Sequence, residues 1–210
     1  ESVTYDIFSR NIKSIAVSNF DTGLLSTDVI KKFREDNPKI HTEMDIKLQR
    51  WINVYYQYMT SVSRKVETMI SKSDSDMNQI STLYRYSRLM ESLCNEFFQN
   101  SKTWQVEDDG KIFFKLKNQN KMISPEDLSS GEKQILTLLI STLVQDGQKG
   151  IVFWDEPEIS LHIAWQQKLI RTLQTLNPNM QLIIATHSPN ILYEGWEQRV
   201  INLKNTFSHE

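Results

Sequence analysis

The sequence predicts an α/β fold: a parallel sheet covered by helices, carrying a helical-hairpin arm and a β-hairpin. Three observations point to it. Two bounded apolar runs of strand length, residues 151–154 and 182–185, end in Asp155-Glu156 and Thr186-His187, which is how a buried parallel strand delivers polar side chains to the carboxyl edge of a sheet. Helical patterns flank and separate them: Ile135, Leu136, Leu138, Leu139 and Leu143 before the first, then Leu161, Trp165, Leu169, Leu173 and Leu176 up to Asn177-Pro178. The second pattern reads as a covering helix. Upstream lie two amphipathic runs and an Asp-Gly turn signal.

Composition bounds the fold without deciding its function. A chain of 210 residues with 39% hydrophobic content buries one sizeable core. The pattern divides it into an irregular N-terminal or linker segment (1–25), a helical arm (26–102) and an α/β lobe (103–210). A net charge of −2 and a pI near 6.1 give no global electrostatic reason to bind nucleic acid or an anionic membrane. Cys94 is the single cysteine; it cannot form an intrachain disulfide, and its helical context reads as a packing thiol. The longest apolar run, 135–144, is interrupted by Thr and Ser and is too short to span a bilayer, and no basic segment followed by an apolar one opens the chain. The expected location is cytoplasmic, with no membrane partner.

In chain order, 1–20 mixes β-branched and aromatic residues without a clean period, and at most one short strand is expected there. Because the chain begins with Glu1, further residues are expected before it. Residues 21–27 read as a turn-like linker containing Gly23, and Ser26 or Thr27 caps a short helix that Pro38 closes. From 42 to 71 the positions Met44, Leu48, Trp51, Tyr55, Met59, Val62, Val66 and Met69 alternate spacings of four and three, an amphipathic helix of about 45 Å at about 1.5 Å per residue. After a Ser/Asp-rich break at 71–76, Ile80, Leu83, Tyr86 or Ser87, Met90, Leu93 and Phe97 repeat the spacing as the second half of an antiparallel arm. Arg50, Trp51, Tyr55, Tyr56, Arg64, Arg85 and Arg88 suit a nucleic-acid or partner platform; the near balance of acids and bases favours a packed aromatic seam with a solvated charged face.

Residues 104–107 and 111–117 flank Asp108-Asp109-Gly110, which predicts a β-hairpin. Next, Leu128-Ser129-Ser130-Gly131-Glu132-Lys133-Gln134 places small residues just ahead of a helical pattern. Free backbone N–H groups at a helix N-terminus form an anion site; the plain alternative is an N-cap by Ser130. Asp155-Glu156 at a strand tip are candidate metal and acid–base groups, or a solvated turn. Residues 198–203 read as a last strand.

In this order, LSSGEKQ, an apolar strand ending in DEP, the acidic loop EISLH and a strand ending in ATHSP resemble the C-terminal half of ABC-type ATPases over roughly residues 95–203. The variant DEPEISLH with ATHSP is similar to soluble ABC ATPases of antiviral defence and repair: OLD-type enzymes, the ATPases of Septu and retron systems, and more distantly SMC-like repair ATPases. The resemblance implies the C-terminal lobe of an ABC-type P-loop NTPase with signature, Walker B, D-loop and His-switch elements, using ATP and Mg²⁺. It implies that Ser129, Ser130, Gly131 and Glu132 meet the ATP of an opposing subunit, that Asp155 holds Mg²⁺ through water, and that Glu156 polarises the attacking water. Glu158 and Ser160 lie in the nucleotide-side loop that communicates across the dimer, and His187 contacts the γ-phosphate; as a bland alternative, His187 is a strand-end histidine bonding nearby backbone.

The implied assembly is a homodimer or higher homo-oligomer closed around ATP, with a nuclease effector protein and DNA or RNA as further partners. Alternatives are a nucleotide-gated scaffold with little turnover and a DNA-repair ATPase of the SMC type, though the arm is short for the latter. His162 precedes Ile163, where many relatives have Pro. No glycine satisfies GxxxxGK[ST], so the phosphate loop of such an enzyme is expected outside these residues.

Overall fold

The computed structural model describes residues 13–18 (backbone only), 31, 39–72, 77–99, 101–192 and 195–202. Strand β1 (Lys13–Ser18) is followed by α1 (Glu43–Ser71), α2 (Met77–Leu83), α3 (Arg85–Phe98), β2 (Lys102–Val106), β3 (Ile112–Leu116), β4 (Met122–Ile123), α4 (Ser130–Leu143), β5 (Gly150–Asp155), α5 (Ile163–Leu176) and β6 (Met180–Ala185). The linker at 21–27, the helix before Pro38 and most of the Ser/Asp-rich break fall outside the described residues.

Helix α1 begins where its sequence signals a start. Thr42 Oγ1 accepts from Asp45 N at 3.1 Å while Asp45 Oδ2 accepts from Thr42 N at 2.7 Å and His41 N at 2.9 Å, a reciprocal capping box. Its apolar stripe buries Leu48, Ile52, Tyr55, Val62 and Val66. The second run of the arm is not one helix. It breaks at Tyr84 into α2 and α3, although Tyr84 N still donates to Ile80 O and Arg88 N to Tyr84 O. Arg88 Nη2 reaches back to Ser81 O at 2.7 Å, which stabilises the bend by capturing a carbonyl freed at the helix end.

The arm is also less separate than its periodicity implied. Tyr55, Met90, Cys94, Phe97 and Phe98 belong to the same buried cluster as Trp104, Phe114, Ile135, Leu139, Val152 and Trp154. Trp104 meets Tyr55 edge-on at 6.0 Å and Phe114 at 5.7 Å, and Phe98 meets Phe114 at 5.4 Å and Trp165 at 5.9 Å; such edge-to-face pairs each add about 1 kcal/mol beyond area burial. Tyr56, one of the aromatics that suit a partner platform, accepts a hydrogen bond through its hydroxyl from Ile112 N at 3.1 Å. The aromatic base of the arm finds its partners in the hairpin, which leaves no bare seam there. Cys94 is buried, and burial pushes its thiol well above the ordinary value.

The hairpin forms as the Asp-Gly signal predicts: β2 pairs antiparallel with β3, and Gly110 takes the positive φ of 82° that closes the turn. The short β4, with no sequence signal of its own, extends it.

The other sheet has the order β1-β5-β6, all parallel. Thus the N-terminal segment, set apart from the lobe by its irregular pattern, supplies an edge strand to the lobe's sheet, with Lys13 opposite Gly150 and Ser18 opposite Asp155. Strand β5 was expected to be buried on both faces; instead its side chains alternate. Val152 and Trp154 are buried, whereas Phe153 and its register partner Ile183 are each 43% exposed. At the chain's far end the expected last strand is absent among the described residues: Glu197–Arg199 is a 3₁₀ turn and residues 200–202 pair with no strand.

Candidate functional site

Helix α4 opens on Ser129, which is the N-cap, so Ser130 is the first helical residue rather than the cap. Ser129 N and Oγ both donate to Glu132 Oε2 at 2.9 Å, while Glu132 Oε1 receives Lys102 Nζ at 2.5 Å. Burial alone would raise the Glu132 carboxyl, but the bonds from Lys102 and Ser129 outweigh it and hold it below the ordinary value. Glu132 is therefore engaged inside the fold, while Ser129 and Ser130 are exposed at the helix start. The neighbouring Lys133 pairs with the buried Asp45 at 2.5 Å.

Gly131 is buried against the loop that follows β5. A Cβ there would lie far inside contact distance of the Ser160 carbonyl oxygen, which accounts for glycine through packing within one chain. Gln134 Nε2 donates to Pro157 O at 2.7 Å, fastening α4 to the same loop. That loop carries two non-glycine residues at positive φ, Glu156 at 46° and Ser160 at 69°. Each costs of order 1 kcal/mol and persists only where the surroundings hold it. The hold at Glu156 is its N–H, which donates to Ala185 O at 2.8 Å and so ties the tip of β5 to that of β6.

The sheet edge gathers most of the candidates. Asp155, opposite Ala185 in the register, is exposed at the end of β5. Glu156 Oε1 lies 3.5 Å from His187 Nε2, and the His187 side chain is 92% exposed. Glu158 turns inward: its Oε1 accepts from Thr186 Oγ1 at 2.6 Å, His187 N at 3.0 Å and Ser188 N at 3.1 Å. His162 caps α5 by accepting from Ala164 N at 3.3 Å through Nδ1. Gln166 on α5 donates to Leu161 O at 2.9 Å and accepts from Ser188 Oγ at 2.7 Å.

The arrangement therefore brings Asp155, Glu156, Glu158 and His187 to one edge and packs Ser160 on Gly131, whereas Glu132 and Ser129 serve each other. Among the described residues no group of three or more His, Cys, Asp and Glu could hold a metal ion alone. The adjacent carboxylates suit Mg²⁺, which is commonly held by one or two carboxylates and substrate phosphates. Sequence reasoning missed Lys102, Asp45 and Gln166, whose contacts cross 30, 88 and 22 residues. Gln134 closes the LSSGEKQ segment, where its sequence position alone gives it no role.

The chain is similar to a "Retron Ec83 probable ATPase" of Escherichia coli, 34% identical over 145 residues, 56% of this chain and 27% of that protein. It is similar to "Protein ea59" of Escherichia phage lambda at 34% identity, over 57% of this chain and 21% of that one. With "Septu protein PtuA" of Bacillus thuringiensis it shares 25% identity over 55% of its length and 32% of the other's. The chain thus spans about a third or less of the length of these relatives. A solved Smc head domain from Pyrococcus furiosus is similar at a TM-score of 0.43 and 14% identity, over 84% of this chain and 56% of that one. No helix among the described residues is long and apolar enough to cross a membrane. A family model matches residues 24–192, and the chain accordingly belongs to the family described as "AAA domain, putative AbiEii toxin, Type IV TA system".

Proposed function

We propose that this chain is the C-terminal lobe of an ABC-type ATPase that closes as a dimer around ATP and Mg²⁺. The observation that carries the reading is the meeting of Glu156 and His187, 3.5 Å apart, at the tips of adjacent parallel strands, where ligands of open α/β sheets bind. In this reading Glu156 polarises the attacking water and His187 contacts the γ-phosphate. Asp155 orients Mg²⁺, which when bound neutralises charge developing on the transferred phosphoryl group. Ser129, Ser130 and Gly131 at the start of α4 face the nucleotide of the opposing subunit, the helix dipole and free N–H groups favouring an anion there. Glu132 takes part by holding Ser129 in place.

The phosphate loop comes from polypeptide outside these residues, in keeping with the relatives' greater length and with the exposed apolar pair Phe153 and Ile183 on the sheet. The retron relative is named a probable ATPase, in keeping with the ATPase reading; the resemblance of DEPEISLH and ATHSP to soluble defence ATPases extends the proposal to a cytoplasmic, nucleic-acid-directed assembly in antiviral defence with a nuclease as the effector partner. Glu156→Gln in the full-length protein tests the core of the reading. It is expected to lower turnover at least about a hundredfold, within the range of general-base loss, while ATP binding persists. A fall of less than about tenfold removes Glu156 from the base role.

A further inference from the structure

The structure assigns Glu158 as the positioning residue of His187, acting within the chain through the backbone. The inference rests on the hydrolytic reading of the edge and departs from its assignment of Glu158 to the nucleotide side. A residue placed to meet nucleotide or metal presents its carboxylate to solvent at the sheet edge, as Asp155 does. Glu158 does the reverse. Its Oε1 accepts three hydrogen bonds, from the Thr186 hydroxyl at 2.6 Å and from the N–H groups of His187 and Ser188 at 3.0 and 3.1 Å, and its Oε2 is buried without a donor among the described residues.

Bonds to a charged acceptor are the stronger kind, and these three restrain three successive residues centred on the histidine. The far side of the same turn is held by Ser188 Oγ donating to Gln166 Oε1 at 2.7 Å, and Gln166 Nε2 in turn donates to Leu161 O at 2.9 Å. His187 itself needs such a hold. Its ring is 92% exposed, so packing does not fix it and its direction is set by the backbone on which it stands. The loop that provides the hold is the loop that bears Glu156 and lies on Gly131. Glu156 and His187 therefore ride on one hydrogen-bonded body, and a displacement of that loop by an opposing subunit reaches the histidine through the Glu158 carboxylate.

The test compares Glu158→Ala and Glu158→Gln with wild type in the full-length protein. The amide of the Gln variant keeps one carbonyl oxygen able to accept the same three bonds; Ala keeps none. Hydrogen exchange at the His187 amide is expected to quicken about tenfold or more in the Ala variant, the scale of a lost bond of about 1.4 kcal/mol, with a smaller effect at Ser188, whose N–H also donates to Thr186 Oγ1 at 3.0 Å, and to stay near wild type in the Gln variant. ATP turnover is expected to show a lowered kcat with little change in KM for Ala, substantial rescue by Gln, and no more than about a twofold further loss when Glu158→Ala is added to His187→Ala. Unchanged exchange at the His187 amide overturns the proposal whatever the turnover. Equal loss in the Ala and Gln variants with a raised KM also overturns it, since that pattern belongs to a charge in contact with nucleotide. If the wild type turns over no ATP, the hydrolytic reading fails, and the exchange measurement still decides whether Glu158 holds the turn.

Discussion

Lys133 Nζ lies 2.5 Å from Asp45 Oδ1, joining the first turn of α4 to the first turn of α1 across 88 residues. Both side chains are nearly enclosed, at 12% and 2% exposure, so solvent screening does not dissolve the pair. Burial raises the Asp45 carboxyl, but the bonds from Lys133, His41 and Thr42 prevail and leave it below the ordinary value. Removing one partner of a buried pair is costlier than the pair is worth, because the other charge is stranded. Asp45→Asn is expected to destabilise the protein by about 3 kcal/mol, read as a lower midpoint in urea. A loss under about 1 kcal/mol, the scale of surface pairs, would show that water reaches the contact.

Acid should act through this pair and its neighbour, Glu132 with Lys102. The ordinary values are 3.8 for Asp and 4.5 for Glu, and both carboxyls are held lower in the fold. Depressed folded values mean that the stabilisation is complete above the unfolded values and disappears as pH falls through the folded ones. Stability is therefore expected to be level from neutrality to about pH 5 and to decline steadily below 4.5 and 3.8. A double variant, Asp45→Asn with Glu132→Gln, starts less stable and shows a shallower decline. An equally steep acid limb in that variant would place the titrating groups elsewhere.

Those two ion pairs mark the boundary of what the sequence makes legible. The spacing of Leu48, Tyr55, Val62 and Val66 reports α1 because a helical stripe is a local property, and Asp109-Gly110 reports the hairpin for the same reason. The apolar run ending at Asp155 locates β5, yet its second, exposed face escapes notice because Phe153 is as apolar as its buried neighbours. Whether that face is covered depends on elements far away in the chain. Lys102 and Lys133 read as solvated charges until folding brings carboxylates to them. Glu158 illustrates the same limit: its spacing from Asp155 placed it in the site's loop, but only the fold turns its carboxylate onto Thr186, His187 and Ser188.

Gly131→Ala sets two effects against each other. Alanine favours a helix by about 1 kcal/mol over glycine, but the new Cβ would press on the backbone carbonyl of Ser160, which cannot rotate away as a side chain would. Overpacking against fixed atoms costs about 1–3 kcal/mol. The variant is expected to be less stable and to shift the amide resonances of residues 157–161. A gain in stability with those signals unmoved would mean that the loop yields freely.

Tyr56→Phe isolates one bond of the arm's base. Its hydroxyl accepts from Ile112 N at 3.1 Å, and deleting it leaves a strand N–H without that acceptor, for a cost of about 1 kcal/mol. Tyr56→Ala also removes the ring packed on Tyr55 at 6.1 Å, and several kcal/mol are expected to go with it. If Tyr56 instead served mainly to dock a partner, both variants would unfold at the wild-type midpoint and lose only assembly.

The isolated 210-residue polypeptide offers the strictest test of the composite site. Asp155 and Glu156 bring negative charge to the edge where a triphosphate is proposed to sit, and two unit charges about 4 Å apart repel by roughly 1 kcal/mol in water and 4 kcal/mol near a protein surface. Compensation requires Mg²⁺, a lysine and a cradle of backbone N–H groups. Within these residues no glycine lies in a GxxxxGK[ST] loop, Lys102 and Lys133 are committed to buried carboxylates, and Ser129 and Ser130 at the start of α4 are proposed to serve the opposing subunit's nucleotide. Calorimetric titration with Mg-ATP is expected to give a Kd of about 1 mM or weaker, equivalent to about −4 kcal/mol, with no phosphate released. Adding the segment that carries the phosphate loop, as part of the full-length protein, is expected to restore both. Micromolar binding with turnover by residues 1–210 alone would reveal a phosphate cradle inside this chain, and the division of the site between two stretches of polypeptide would be wrong.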